Sequence, residues 1–257
     1  MLEDDLERRF GGLRRLYGAA GYEALRGLRV GVVGLGGVGS WAVEALARSG
    51  VAALTLVDLD HVAESNINRQ VQALSSSLGQ HKGEALRVRI QDIHPGCQVR
   101  VIDAFVEPGN WPGLLEGAGL DGLIDACDHV RAKAALADWA LQQRVAFVSV
   151  GAAGGKQRPE ALELADLAET THDPLLASLR ARLRRQQVAP RQGRIGLRCV
   201  FSRETVARPE RDGEACAVDG SLNCAGYGSS VMVTGAFGLA AAAELVQQSL
   251  KKFSKGS

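Results

Sequence analysis

Net charge is nearly absent from this 257-residue chain: 30 lysines and arginines stand against 29 aspartates and glutamates, a formal +1. Such a balance excludes a whole-surface attraction for nucleic acid, so any contact of that kind must come from a local patch. Cysteine is sparse as well. The five, at Cys97, Cys127, Cys199, Cys216 and Cys224, are odd in number and never spaced Cys-x-x-Cys. That excludes a disulfide framework and a four-cysteine zinc site, and it points to a reducing cytoplasm. The opening "MLEDDLERRFGGLRRLYG" is charged throughout and reads as neither a secretory signal nor a membrane anchor. Internal repeats and low-complexity linkers are absent too, so the chain reads as one domain with a C-terminal elaboration.

Hydrophobic residues make up 46% of the chain, enough at this length to bury a full core. A long apolar run occurs at Gly228 to Val246, "GSSVMVTGAFGLAAAAELV", where only Glu244 is charged. Its length approaches that of a bilayer span. Its residues are mostly Ala, Gly, Ser and Thr, which favours a helix buried by protein on all sides over peripheral membrane association, and no integral span is expected.

Strands are expected at Arg29–Val33, Ala53–Asp58, Val99–Ile102, Gly122–Ala126 and Ala146–Val150, and helices at Val38–Ser49, Gly83–Ile93 and Val130–Gln143. Alternation with unbroken apolar strands predicts an α/β fold: a doubly wound, mostly parallel, Rossmann-like sheet. An ATP-binding core would occupy 1–155 and the elaboration, ending in the apolar helix, 156–257. Leu175–Arg198 is arginine-rich and poor in apolar runs, and Arg203–Ser221 reads as a polar loop. Ligands of such sheets lie beyond the carboxyl ends of the strands.

The first strand runs into its helix through Gly34-Leu35-Gly36-Gly37-Val38-Gly39, a G-x-G-x-x-G spacing. Glycines let the backbone approach phosphate, and the helix N-terminus offers amide donors and positive potential. Asp58, ending the next strand, is placed for ribose hydroxyls. NAD and ATP satisfy these features equally, and alone they favour a dinucleotide oxidoreductase. The following stretch reverses that preference. "VDLDHVAESNINRQ" gathers Asp58, Asp60, Asn66, Asn68, Arg69 and Gln70 at one edge, with Lys82 next in "LGQHKGEA". Arg69 can grip phosphate oxygens bidentately, Lys82 can add a mobile point charge, and Asn66 can orient a carbonyl or ribose. Asp128, in "LIDACDHVRAK", emerges at the same edge and with Asp125 behind it suits Mg²⁺, which takes one or two protein carboxylates plus phosphates and water. The plainer alternatives are a turn with a solvated arginine at Asn66–Arg69 and a helix cap at Asp128. Together the four features describe ATP cleavage to AMP or ADP with bound magnesium.

"VGLGGVGS", "LVDLDHVAESNINRQ", "GQHKGEA" and "DACDHVRAK" resemble the adenylating domain of the ubiquitin-activating and molybdopterin/thiamine-synthesis activating enzymes over roughly the first 150 residues. "RFGGLRRLYG", "VGAAGGKQRPEALELADLAETTHDPLLASLRARLR", "RCVFSRE" and "NCAGYGSSVMVTGAFG" extend that likeness almost end to end, to the branch that dehydrates threonylcarbamoyladenosine in tRNA. The resemblance implies adenylation of the threonyl carboxylate beside the anticodon and closure to a cyclic form. It assigns Gly36 and neighbouring amides, Asp58, Asn68, Arg69 and Lys82 to ATP, and Asp128 to Mg²⁺. It also implies a homodimer and leaves room for a sulfur-relay partner. The alternative within the superfamily is an activator of the C-terminus of a ubiquitin-like sulfur carrier.

Two departures stand out. Relatives that activate ubiquitin-like proteins begin Arg-Tyr-x-Arg-Gln and send the second arginine into the neighbouring subunit; here the start is Arg9-Phe10-Gly11-Gly12, with glycine where that arginine would fall. Either Arg15, the preferred replacement, or Arg9 or Arg14 takes its place, or the trans contribution is absent. Those relatives also often carry paired Cys-x-x-Cys zinc ligands, which this chain lacks. Arg180, Arg182, Arg184, Arg185, Arg191, Arg194 and Arg198 form either a phosphate-contacting tRNA surface or a solvated helix face. In "VGAAGGKQ", Gly154 and Lys156 are candidates for the pocket of the modified nucleoside.

Overall fold

The computed structural model describes residues 3–206 and 227–256. Cys216, Cys224 and most of the expected Arg203–Ser221 loop lie outside them. A first helix α1 (Glu3–Arg26), interrupted at Gly18 where φ is 72°, leads into β1 (Arg29–Val33). There follow α2 (Gly39–Arg48), β2 (Ala53–Asp58), α3 (Lys82–Ile93), β3 (Gln98–Asp103), β4 (Gly122–Asp125), α4 (Val130–Gln143) and β5 (Ala146–Val150). The chain continues through β6 (Leu162–Asp166), α5 (Pro174–Arg185), β7 (Arg198–Ser202) and α6 (Val231–Gly256).

The seven strands form one sheet in the order β3-β2-β1-β4-β5-β7-β6, with every pairing parallel except β6 against β7. Parallel strands need helical crossovers, which cover both faces and explain why β1, β2, β4 and β5 are almost wholly buried. One core unites α2, α3 and α6 through Val43, Leu46, Leu86, Ile90, Phe237 and Leu245; a second unites α4 and α5 through Leu136, Leu176, Leu179 and Leu183. Buried Glu44 ties α2 to α3 by accepting from Arg89 Nε at 2.6 Å while also pairing Arg48 at 2.7 Å. After β3 the chain returns past β1 to form β4. This reversal opens a crevice between the carboxyl ends of those two strands.

The last third is more structured than its arginine content suggests. Expected to be poor in apolar runs, Leu175–Arg198 contains α5, whose Leu175, Leu176, Leu179 and Leu183 recur at helical spacing and are buried. Beyond it β7 inserts between β5 and β6, so the elements after residue 156 extend the same sheet. The apolar helix packs into the core on one face rather than all round: Val233, Phe237, Ala241, Ala242, Leu245 and Val246 are buried, whereas Met232 and Leu239 are exposed. Its small residues have a packing reason, since a Cβ at Gly238 would collide with the carbonyl of Val38 at the start of α2. By length and composition Val231–Phe253 is also apolar enough to cross a membrane, with half of its most apolar window buried inside the protein.

Candidate active site

The glycine loop after β1, the turn after β4, and the segments following β2 and β5 converge on one cavity of about 1920 Å³ at the carboxyl edge of the sheet. Gly34 shows why its position needs glycine: φ is +85°, and a Cβ would lie 2.8 Å from the Ala126 carbonyl and the Cys127 amide. Gly36 faces open space within the cavity, and Gly37 also lines it. Gly39 does not. It starts α2 beneath the loop, packed against Gly34, which makes it a support for the loop rather than part of the cavity wall.

Asp58 is buried and organises the loop: Oδ2 accepts from the Leu35 amide at 2.6 Å and Oδ1 from the Asp60 amide at 2.9 Å. Each oxygen keeps a lone pair for a further donor. Asp60 pairs with Lys82 Nζ at 2.7 Å, holding a largely buried ammonium at the first turn of α3 and on the cavity wall. Asn66 is spent locally, its Oδ1 accepting from the Ala63 amide at 3.1 Å, although it also lines the cavity. Arg69 donates from Nη1 to the Ser65 carbonyl at 2.7 Å and to Asn68 Oδ1 at 2.9 Å. Burial lowers its pKa, yet the guanidinium is basic enough to stay charged.

This loop is clamped from a distance. Trp41 Nε1 donates to the Arg69 carbonyl at 3.0 Å, Thr234 Oγ1 reaches the same carbonyl at 3.5 Å, and Asn68 Nδ2 donates to the Ser229 carbonyl at 2.8 Å. The segment entering α6, Tyr227 to Thr234, thus forms part of the wall, a role that "GSSVMVT" does not announce. Gly154 sits beside this segment on the wall, a Cβ there lying 3.5 Å from Tyr227 Cβ, and the neighbouring Gly155 amide donates to the Gly228 carbonyl at 2.8 Å.

Asp128 lines the cavity with a third of its side chain exposed, its Oδ1 3.5 Å from His129 Nε2. It makes no side-chain cap for α4, so the plain capping alternative does not describe it. Asp125 behind it is committed elsewhere. Lys133 Nζ, fully buried, donates to Asp125 Oδ2 at 3.0 Å, Ser149 Oγ at 3.2 Å and the Val150 carbonyl at 2.8 Å, while Ser149 Oγ and Cys127 Sγ also donate to Asp125. Burial disfavours the Lys133 ammonium, but Asp125 outweighs it and the pKa is raised. Asp125 is therefore not a second metal carboxylate.

Lys156 also departs from expectation. Its side chain is fully buried, donating to the Ser202 carbonyl at 2.9 Å and lying 3.9 Å from Asp173, outside the cavity lining. Burial lowers its pKa, opposed by Asp173 and Glu204. Asp173, not anticipated, caps α5 through the Leu176 amide at 3.0 Å, accepts from the Ala152 amide at 2.9 Å and lines the cavity. The signal was present as Asp-Pro before a leucine-rich helix.

The seven C-terminal arginines do not act as a block. Arg180 is spent on the Leu167 and Thr170 carbonyls, Arg194 pairs with Glu169 and Arg198 with Glu244, whereas Arg180 and Arg182 both line the cavity. At the other end, Arg9 is pinned to the carbonyls of Asp92 and Ile93, Arg14 pairs with Glu7 and Glu23, and Arg15 is exposed on α1 away from its own chain's cavity. Burial pushes the thiol of Cys127 well above its usual range, followed by the nearby Asp125 charge, and burial raises Cys97 to about 11. Neither is an activated nucleophile.

A glycine loop, a buried acid after β2 and an arginine–lysine pair around one switch-point cavity define a nucleotide-binding protein of the doubly wound class. The chain belongs to the ThiF family, which matches residues 9–256. It is 40% identical over 261 residues to tRNA threonylcarbamoyladenosine dehydratase of Escherichia coli strain K12, covering 98% of this chain and 97% of that one. The crystal structure of the E. coli tRNA N6-threonylcarbamoyladenosine dehydratase TcdA in complex with ATP is similar throughout, with a TM-score of 0.89, 38% identity and full coverage of both chains. The complex of that enzyme with AMP gives the same TM-score and identity over 99% of each chain.

Proposed function

We propose that this chain is an ATP-dependent tRNA threonylcarbamoyladenosine dehydratase. Full-length similarity to an enzyme of that name supports the reaction, and one observation carries the reading to these residues. Gly36, Asp58, Arg69, Lys82 and Asp128 line the same cavity, which is large enough to hold a nucleotide and a second substrate side by side.

A carboxylate is a poor electrophile because its oxygen does not leave readily. In the proposed reaction, a threonyl carboxylate oxygen attacks the α-phosphorus of ATP and pyrophosphate departs. The urea-like group of the same nucleoside then attacks the activated carbonyl, loses a proton and expels AMP, which carries away the carboxylate oxygen. The second nucleophile is intramolecular, so proximity replaces an enzyme nucleophile, in keeping with the raised thiol of Cys127. Arg69 and Lys82 offset the charge that accumulates on the phosphates, Asp58 orients the ribose, and the Gly154 side of the cavity receives the modified nucleoside.

Magnesium fits this donor set as a companion of the triphosphate. Among the described residues no group of three His, Cys, Asp or Glu side chains could hold a metal. An ion at Asp128 would take its other ligands from phosphates and water, the habit of Mg²⁺. When bound, it neutralises phosphate charge. The proposal extends to a cytoplasmic homodimer in which Arg15 reaches toward the partner subunit's site, and to a sulfur-relay protein as a further partner.

The test is isotope exchange between pyrophosphate and ATP. Exchange that requires tRNA bearing threonylcarbamoyladenosine supports the proposal. Exchange that instead requires a ubiquitin-like protein ending in Gly-Gly moves the assignment to carrier activation.

A further inference from the structure

A second cleft, of about 420 Å³, lies beside the main cavity and shares Arg131 and Arg182 with it. Trp139 on α4 lines this cleft, partly exposed, and stands edge-on to buried Trp111 with ring centroids 5.4 Å apart at 82°. Among the described residues neither the Arg131 nor the Arg182 guanidinium has a hydrogen-bond or ion-pair partner, and Arg182 Nε is a buried donor left unsatisfied. Their neighbours Arg180, Arg194 and Arg198 are all engaged. The cleft's carboxylate, Asp138, accepts from Gln142 Nε2 at 2.8 Å, so two unspent cations outweigh one occupied anion.

Unspent guanidinia beside a partly exposed indole suit a ligand with a diffuse anion and a flat ring. A nucleotide has both, and splayed single-stranded RNA is recognised by stacking on aromatic rings with arginine on the backbone. Buried volume on the order of 300–1000 Å³ is ordinary for a small-ligand pocket, which suits one nucleotide. We propose that this cleft is an RNA subsite for a nucleotide adjoining the modified adenosine: Trp139 stacks on its base and Arg131 and Arg182 hold the intervening phosphates. The proposal rests on the dehydratase reading, since continuity with that cavity makes the occupant a neighbour of the reacting base.

The experiment uses the full chain and a fluorescent anticodon stem-loop bearing threonylcarbamoyladenosine. For the doubly substituted Arg131→Ala/Arg182→Ala protein, Kd and KM for the RNA should rise at least tenfold while KM for ATP stays within about twofold, and the salt dependence of log Kd should flatten by roughly 0.7 per arginine. Trp139→Leu should weaken RNA binding about tenfold and Trp139→Phe should restore most of it, because stacking needs a ring. A loss of packing alone would instead lower stability and ATP turnover together. Wild-type RNA affinity and salt slope in the double variant overturn the subsite. A wild-type protein that neither binds nor converts the modified RNA overturns the dehydratase reading, and the subsite with it.

Discussion

Replacing Lys133 by methionine should be among the most damaging single changes outside the cavity. The side chains of Lys133 and Asp125 are both completely buried, and Nζ serves Asp125 Oδ2 at 3.0 Å, Ser149 Oγ at 3.2 Å and the Val150 carbonyl at 2.8 Å. Methionine fills the volume but supplies no donor and no charge. What remains is an uncompensated buried carboxylate, the situation that costs about 3–5 kcal/mol, with a Val150 carbonyl left short of a partner. For a chain of this size each kcal/mol moves Tm by roughly 2–4 °C, so a fall of about 6–20 °C is expected. Equilibrium urea unfolding followed by far-ultraviolet circular dichroism measures it. The doubly substituted Asp125→Leu/Lys133→Met protein should recover only part of the loss, because Ser149 and Cys127 also donate to Asp125. A single-variant loss below about 1 kcal/mol would refute the idea that this ion pair ties together the ends of β4 and β5.

Asp128→Asn should leave Tm within about 2 °C of wild type yet abolish turnover with Mg²⁺, since a one-third exposed carboxylate contributes little to folding; calorimetric Tm and nucleoside conversion read the two effects. Gly36→Ala should keep stability, because its Cβ would enter open space, but weaken ATP at least tenfold in a thermal-shift titration where NAD has no effect; Gly39→Ala should destabilise the fold, because its Cβ would strike the Gly34 carbonyl. Cys127→Ala should keep turnover within about threefold, as expected when burial holds the thiol protonated, and a hundredfold loss would restore a cysteine mechanism.

The nucleotide half of the fold was legible because its signals are local. β1, β2, β5 and α4 fall at their expected boundaries, each a closed apolar segment between turn residues. The glycine loop, Asp58, Arg69 and Lys82 needed only their place after successive strands to meet at one edge. β6 and β7 carry no strand signal of their own in the sequence. Each is five residues long, and what defines them is pairing across the chain, as where Val148 meets Arg198. Lys156 stands in a glycine-rich stretch that reads as pocket wall, and only distant Asp173 and Ser202 explain its burial away from the cavity. The arginine run shows the same limit. Charge composition cannot tell Arg198, paired with a glutamate on α6, from Arg182, which faces a cavity.

The most direct test of the central claim is the mass of the modified nucleoside. Purified protein is incubated with ATP, Mg²⁺ and tRNA carrying threonylcarbamoyladenosine, and the tRNA is then digested and weighed. Loss of one water, dependent on ATP and matched by AMP and pyrophosphate, is the predicted result. An unchanged nucleoside, in a preparation that still binds ATP and the tRNA, would contradict the assignment.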